Sequence, residues 1–195
     1  MALDLLEMVG LSPPEDFIER YPSRLSGGQI QRVVIARAIS VKPRFVVADE
    51  AVSMLDASLR IEILDLLHKI KDAFKTTFLL ITHDLGVARY FAKDGKIAIM
   101  YLGNIVEIGE TDEVIRNPMH PYTKALLSAV PVLDPKVARE RKSLPLKSID
   151  IPSLLKSIPG CKFHTRCPYA DSLCEKQKPE LKLVGSRQVA CHLYS

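Results

Sequence analysis

Apolar residues along this chain fall into two rhythms. Three short runs, FVVA (residues 45–48), TFLLIT (77–82) and KIAIMY (96–101), are unbroken and rich in branched or aromatic side chains. That is the pattern of strands buried on both faces of a sheet. Between the first two, Leu59, Ile63, Leu67, Ile70 and Phe74 recur at steps of three and four, which predicts one buried helix face behind Asp56 as its cap. After Thr82, DLGVARYFAKDGK predicts a helix closed by Asp94 and Gly95, and GNIVEIG returns beside residues 96–101 as a hairpin partner. Further upstream, Ser26 opens a helix whose expected buried stripe is Ile30, Val33, Val34 and Ala38. Strand and helix alternate, so the fold class is α/β, with right-handed crossovers in one sheet. From Pro131 prolines and lysines thicken, and residues 131–159 read as an irregular linker before a compact tail at 160–195. No internal repeat is visible.

Composition adds boundaries. The 195 residues are 47% hydrophobic, enough to bury the core of one domain with a small appendage. Lysine and arginine number 27 against 23 acidic residues, and this weak bias excludes a dedicated nucleic-acid surface. No apolar run approaches the roughly 18 residues of a membrane span, and MALDLLEMVG lacks the basic start and apolar stretch of a signal peptide. The chain is therefore expected in the cytoplasm. In that compartment its four cysteines, all after residue 160, read as metal ligands before disulfides.

Three stretches carry candidate chemistry. At LSGGQ (25–29), Gly27 and Gly28 lack β-carbons, so phosphate oxygens can approach the backbone N–H groups at the positive end of the helix that Ser26 caps. A bare Ser-Gly-Gly is more often an ordinary helix start. RFVVADE ends a strand in Asp49 and Glu50, at the edge where α/β sheets place their ligands. Asp49 suits Mg²⁺, through water, and Glu50 suits the orientation or deprotonation of an attacking water; a solvated acidic turn is the plain alternative. LLITHDL ends the next strand in Thr82, His83 and Asp84, which makes His83, otherwise a capping or surface residue, a candidate for sensing a terminal phosphate.

Taken in order, LSGGQ, the strand with Asp49 and Glu50, SMLD (53–56) and Ile-Thr-His83-Asp resemble the second half of an ABC-transporter ATPase domain over residues 21–109. The resemblance implies a partial RecA-like core of the P-loop NTPase type. It implies that Ser26, Gly27, Gly28 and Gln29 face the γ-phosphate of an ATP held by the opposite subunit. It further implies Asp49 as the Mg²⁺ residue, Glu50 as the catalytic carboxylate, His83 as the γ-phosphate contact and Asp56, in the D-loop, as an interface residue. Two departures stand out. Ala51 replaces the proline that usually follows the acid pair, and no G-x-x-x-x-G-K-[ST] loop occurs, the Gly-Lys of DGKIA (94–98) having the wrong neighbours. That loop is expected upstream of Met1, so the chain is expected to be a C-terminal part of the domain, inactive by itself.

Beyond the ATPase motifs, NPMHPYTKALLSAVP (117–131) is similar to the C-terminal segment of ATP-binding subunits of oligopeptide and dipeptide importers. His120, followed by Pro121, reads as a helix-entry residue and not as a ligand. The tail spaces its cysteines as C-x₅-C-x₆-C-x₁₆-C at Cys161, Cys167, Cys174 and Cys191, without the tight knuckles of structural zinc. An iron–sulfur cube tolerates wider spacing, and GCKFHTRCPYADSLC resembles the cluster-binding tail of some dipeptide-importer subunits, favouring [4Fe–4S] over zinc; two disulfides remain the third option.

The expectation is an ATP-binding subunit, residues 1–110 carrying the ATPase motifs and 111–195 the transporter-type extension. It would power solute uptake with a second ATPase subunit, the same or different, transmembrane permease subunits and, indirectly, an external solute-binding protein. The rival expectations are a noncatalytic subunit lending Ser26–Gln29 in trans, and an iron–sulfur module on an ATPase remnant.

Overall fold

Phe45–Asp49 (β1) and Thr77–Ile81 (β2) lie side by side as a parallel pair in a computed structural model of the chain, with Val47 opposite Leu79 and Asp49 opposite Ile81. The structure describes residues 1–130, 144–150, 152–153 and 157–194, and falls into two units, Met1–Phe91 and Ala92–Ser195. Part of the expected linker at 131–159 therefore lies outside the described residues.

In the first unit, Ala2–Met8 (α1), Glu15–Ile18 (α2), Gly27–Ile39 (α3), Ala57–Phe74 (α4) and Leu85–Phe91 (α5) accompany the strand pair. On the predicted face of α4, Ile63, Leu67 and Ile70 are at 3% exposure or less and Leu59 and Phe74 are half-buried, while Leu64, outside that face, is fully buried. Asp56 caps it, accepting from the N–H groups of Ser58 and Leu59. Lys75 ends it in the left-handed region at φ 55°. Helix α3 exists as expected, but of the expected stripe Ile30, Val33, Val34 and Ala38 only Val33 packs against the core. Gly28, Ile35, Ala36 and Ile39 are buried instead, and Val34 is 53% exposed. The helix is apolar nearly all round, so periodicity alone did not select the face that meets the core.

The strands depart from expectation too. On β1 and β2 only one face is covered, Phe78 and Leu80 packing on the helical core. The third expected strand, Lys96–Tyr101 (β3), pairs with Asn104–Glu110 (β4) in a separate antiparallel sheet, completed by Lys182–Val184 (β5) and Arg187–Val189 (β6) in the order β3-β4-β6-β5. The hairpin turns at Leu102 and Gly103, both at positive φ, the conformation that a two-residue turn of this hand requires. Alternation along the sequence says that a strand forms, and its β4 partner was legible; which sheet it joins was not.

Thr111–Arg116 (α6), Pro121–Ser128 (α7), Ser172–Lys176 (α8), Lys182–Val184 (β5) and Arg187–Val189 (β6) complete the second unit. The tail is thus no separate appendage: β6 pairs with β4, Val189 opposite Glu107. Phe163, 1% exposed between two of the cysteines, anchors the core. Its ring lies 5.2 Å from Tyr101 and 5.5 Å from Tyr122. Glu107, fully buried, accepts from the N–H groups of Met119 (3.0 Å) and His120 (2.9 Å) and from the Arg187 guanidinium (3.1 Å). His120 caps α7 as expected, accepting from the N–H of Tyr122. Burial lowers its pKa to about 4, so the ring is neutral at pH 7.

Candidate functional site

The start of α3 is held by a capping box. Ser26 Oγ accepts from the N–H of Gln29 at 3.3 Å, and the Gln29 amide oxygen accepts from the N–H of Ser26 at 2.9 Å. A β-carbon on Gly27 would meet nothing within 4 Å, whereas one on Gly28 would touch the Leu59 side chain at 3.4 Å. Gly27 thus leaves an open approach to the first turn, and Gly28 faces the Leu59 side chain of α4. Arg32, one turn on, donates to the Val9 carbonyl at 2.6 Å and to Glu62 at 2.8 Å. A cavity of about 280 Å³ beside the motif is lined by Ser26, Gly28, Gln29, Arg32, Leu59 and Glu62 among others.

Glu50 and His83 meet. The imidazole Nδ1 lies 2.9 and 3.1 Å from the two carboxylate oxygens of Glu50. Pairing of β1 with β2 makes this possible, because both residues follow strand ends held in register, and the Glu50 N–H donates to the Ile81 carbonyl at 3.0 Å. Glu50 sits at φ 48°, a left-handed conformation that costs a non-glycine residue about 1 kcal/mol or more. It bends the chain straight out of the strand, and the Ser53 hydroxyl then donates back to the Glu50 carbonyl at 2.9 Å. Both side chains remain accessible, His83 the more so. Asp49, one residue earlier, is exposed at the end of β1. One exposed carboxylate fits the Mg²⁺ habit of binding few protein ligands and keeping its water.

Asp56 sits at the head of α4, where hydrogen bonds from the Leu59 N–H and the Ser58 hydroxyl lower its pKa. One residue that the sequence reading overlooked joins this loop to the histidine turn. Arg60 donates to the Leu55 carbonyl at 3.2 Å and to Asp84 at 3.0 Å, and Asp84 in turn accepts from the N–H groups of Gly86 and Val87 at the start of α5. The signal was available in Asp84, a cap residue ahead of a helix; its cation, 24 residues away, was not.

In the second unit the cysteines carry thiols. Burial is the first cause of every thiol's raised pKa, and repulsion among the prospective thiolates adds to it over all six pairs. Cys191 is pushed up to about 11. The Cys161 N–H donates to the Cys174 carbonyl at 2.8 Å. The four sulfurs are therefore neighbours and supply the donor chemistry of an iron–sulfur site. Among the described residues, however, no three such side chains are gathered at metal-ligating distance. Electrostatic influence extends beyond coordination distance, and among the described residues the thiols do not form an assembled metal centre.

Among the described residues no helix is long and apolar enough to cross a membrane. Residues 2–53 match the family model for the ABC transporter, and residues 106–174 match that for the oligopeptide/dipeptide transporter C-terminal region. The chain is 45% identical over 192 residues to the putative oligopeptide transport ATP-binding protein YkfD of Bacillus subtilis, covering 98% of this chain and 57% of YkfD. It is 42% identical to the di/tripeptide transport ATP-binding protein DppF of Pseudomonas aeruginosa, covering 96% of this chain and 56% of DppF. Among solved structures, the ADP conformation of MJ1267, an ATP-binding cassette of an ABC transporter, matches with a TM-score of 0.52 and 29% identity over 60% of this chain and 45% of that one. The chain thus has the α/β architecture of an ABC ATPase cassette and spans little more than half the length of YkfD and of DppF. With both family models matched in chain order, and near-complete alignment of this chain to the peptide-transport proteins, the chain resembles the ABC-transporter ATP-binding proteins of the oligopeptide and dipeptide type over nearly its whole length.

Proposed function

We propose that this chain contributes the signature, the catalytic carboxylate and the phosphate-sensing histidine to an ATPase that drives oligopeptide or dipeptide import. The ATPase motifs occupy residues 1–110 and the extension 111–195. The observation that carries the reading is the Glu50–His83 pair, 2.9 Å apart at the ends of two paired strands. With Nδ1 engaged by Glu50, Nε2 is the ring atom left to face a γ-phosphate oxygen, to which it donates when both ring nitrogens carry a proton. Glu50 aligns the attacking water and accepts its proton, while Ser26–Gln29 close on the nucleotide of a second subunit and Asp56 lies at that interface. Asp49 would hold Mg²⁺, which supplies charge neutralisation at the phosphates. The partners are a second ATPase subunit and transmembrane permease subunits, with a solute-binding protein outside, and the chain works at the cytoplasmic face of the membrane.

Without a phosphate-cradling loop, the 195-residue chain alone is expected neither to bind ATP tightly nor to hydrolyse it. Mixed with a complete partner subunit it should support turnover that Glu50→Gln and Gly28→Asp both suppress. Hydrolysis by the purified chain alone, or a mixed complex indifferent to both substitutions, overturns the reading.

A second reading concerns the tail. The C-x₅-C-x₆-C-x₁₆-C spacing, with the Cys161 N–H donating to the Cys174 carbonyl, supports a [4Fe–4S] cluster on Cys161, Cys167, Cys174 and Cys191, serving as a structural clasp, for which the four thiols would have to draw closer than they stand in the structure. Chain purified without oxygen should be brown and contain iron and acid-labile sulfide in near-equal amounts. Colourless protein carrying stoichiometric zinc refutes the cluster.

A further inference from the structure

The β3–β4 hairpin and the tail together line a cavity of about 610 Å³ that lies wholly within the second unit. On the hairpin side, Met100 and Ile105 are partners across the ladder, 59% and 37% exposed, where a solvated strand face would carry polar residues. The ladder shifts register between Ile99 and Met100, and irregularities of this kind re-aim side chains beside binding sites. On the tail side, Leu181, Pro179 and the buried ring of Phe163 extend the apolar wall.

Charges of both signs share this lining: Lys162, Lys178 and Glu180. The Lys162 ammonium is tethered by donating to the Ile158 carbonyl, and an ammonium has further donors to give. Lys178 and Glu180 are two positions apart, so their Cα atoms lie within about 7 Å of each other, which is also about the span between the amino and carboxyl ends of a dipeptide. The Asn104 side chain donates to the Leu102 carbonyl at 2.9 Å, and the oxygen of the same amide is an acceptor for a peptide N–H. The volume falls in the range of about 300–1,000 Å³ that holds ligands larger than one amino acid. An anionic ligand would set negative charge against Glu180, and a neutral apolar one would leave all three charges without a partner.

We propose that this cavity binds a short peptide with free termini, two or three residues long. Its apolar side chains lie against Met100, Ile105 and Leu181, its carboxylate meets Lys162 and Lys178, and its ammonium meets Glu180. The site uses no nucleotide and no residue of the first unit, so it holds whether or not the ATPase reading does.

The test is titration calorimetry of the 195-residue chain with the dipeptide Leu-Leu, without nucleotide. One site is expected, with a dissociation constant on the order of 0.1–1 mM. Gly-Gly brings the same termini without apolar side chains and should bind more than about tenfold more weakly. N-acetyl-Leu-Leu amide keeps the side chains, loses both charges and should bind about tenfold more weakly. Lys178→Gln and Glu180→Gln each remove one solvated contact and should weaken Leu-Leu about threefold; both positions are exposed, and far-ultraviolet circular dichroism checks that the fold is kept. In ¹H–¹⁵N spectra Leu-Leu should move the amide signals of Gly103, Asn104 and Leu181 and leave that of Gly27, in the first unit, in place. Absence of saturation up to about 10 mM overturns the proposal. So does equal binding of the capped peptide, which would make the cavity an apolar groove without recognition of termini, or equal binding of free leucine, which would assign it to an amino acid. Affinity unchanged in both charge variants, or signals that move only outside the lining, overturns it as well.

Discussion

Replacing Arg187 by methionine tests the energetics of the second unit. Arg187 and Glu107 form an ion pair at 3.1 Å, their side chains 8% and 0% exposed. The guanidinium also donates to the carbonyl of Asn117 at 2.6 Å. Methionine fills most of the space and removes the charge, leaving a buried carboxylate with only the N–H groups of Met119 and His120 as partners. Stranding a buried charge costs about 3–5 kcal/mol, and the two remaining donors favour the lower end, about 3 kcal/mol. With a urea slope of about 1.5 kcal/mol/M, the midpoint should fall by about 2 M. The chain has no tryptophan. Near-ultraviolet circular dichroism of tyrosine is the suitable probe, because Tyr101 and Tyr122 lie 4.5 Å apart in this unit. Adding Glu107→Gln to Arg187→Met removes the stranded charge and should restore at least about 1 kcal/mol. A loss under about 0.5 kcal/mol in the single variant, or a double variant no more stable than it, refutes the reasoning.

Three further outcomes are expected. His120 titrates near 6.5 when unfolded and near 4 when folded, so the unfolded state takes up the proton first as pH falls; stability of the second unit should be unaffected above pH 7 and drop by about 3 kcal/mol between pH 6.5 and 4. His120→Asn keeps a cap and should flatten that dependence in urea titrations at each pH. Gly160 has φ 63°, and a β-carbon there would collide with the Cys174 carbonyl, so Gly160→Ala should separate Cys161 from Cys174 and speed tail proteolysis; unchanged cleavage would contradict the close approach. Arg60→Met should raise amide exchange at Gly86 and Val87, whose acceptor Asp84 loses its anchor, and exchange left as in the parent would show that the ion pair is dispensable.

What the sequence made legible was local. Ser26 and Asp56 cap helices through residues two or three positions away, so their roles follow from short spacing. Glu50 and His83 could be placed together because each ends an apolar run, and consecutive runs separated by one helix usually pair. The buried face of α3 was not legible, since seven of its residues from Ile30 to Ile39 are apolar and only packing in the shared core distinguishes Ile35 from Val34. Glu107 was hidden for the opposite reason. A carboxylate in an apolar strand looks like a solvent-facing position, and its cation lies 80 residues further along. The cysteines announced their grouping by composition, yet their arrangement depends on the fold of the intervening loops.

That separation of 80 residues has a consequence for synthesis. At about 5–20 residues per second, the ribosome releases Glu107 some seconds before Arg187. Throughout that interval the β3–β4 hairpin has an unpaired outer edge and a carboxylate with no guanidinium to meet it. The first unit can settle while this one waits, so nascent chains halted before Arg187 should engage chaperones and those extended past Val189 should let go of them.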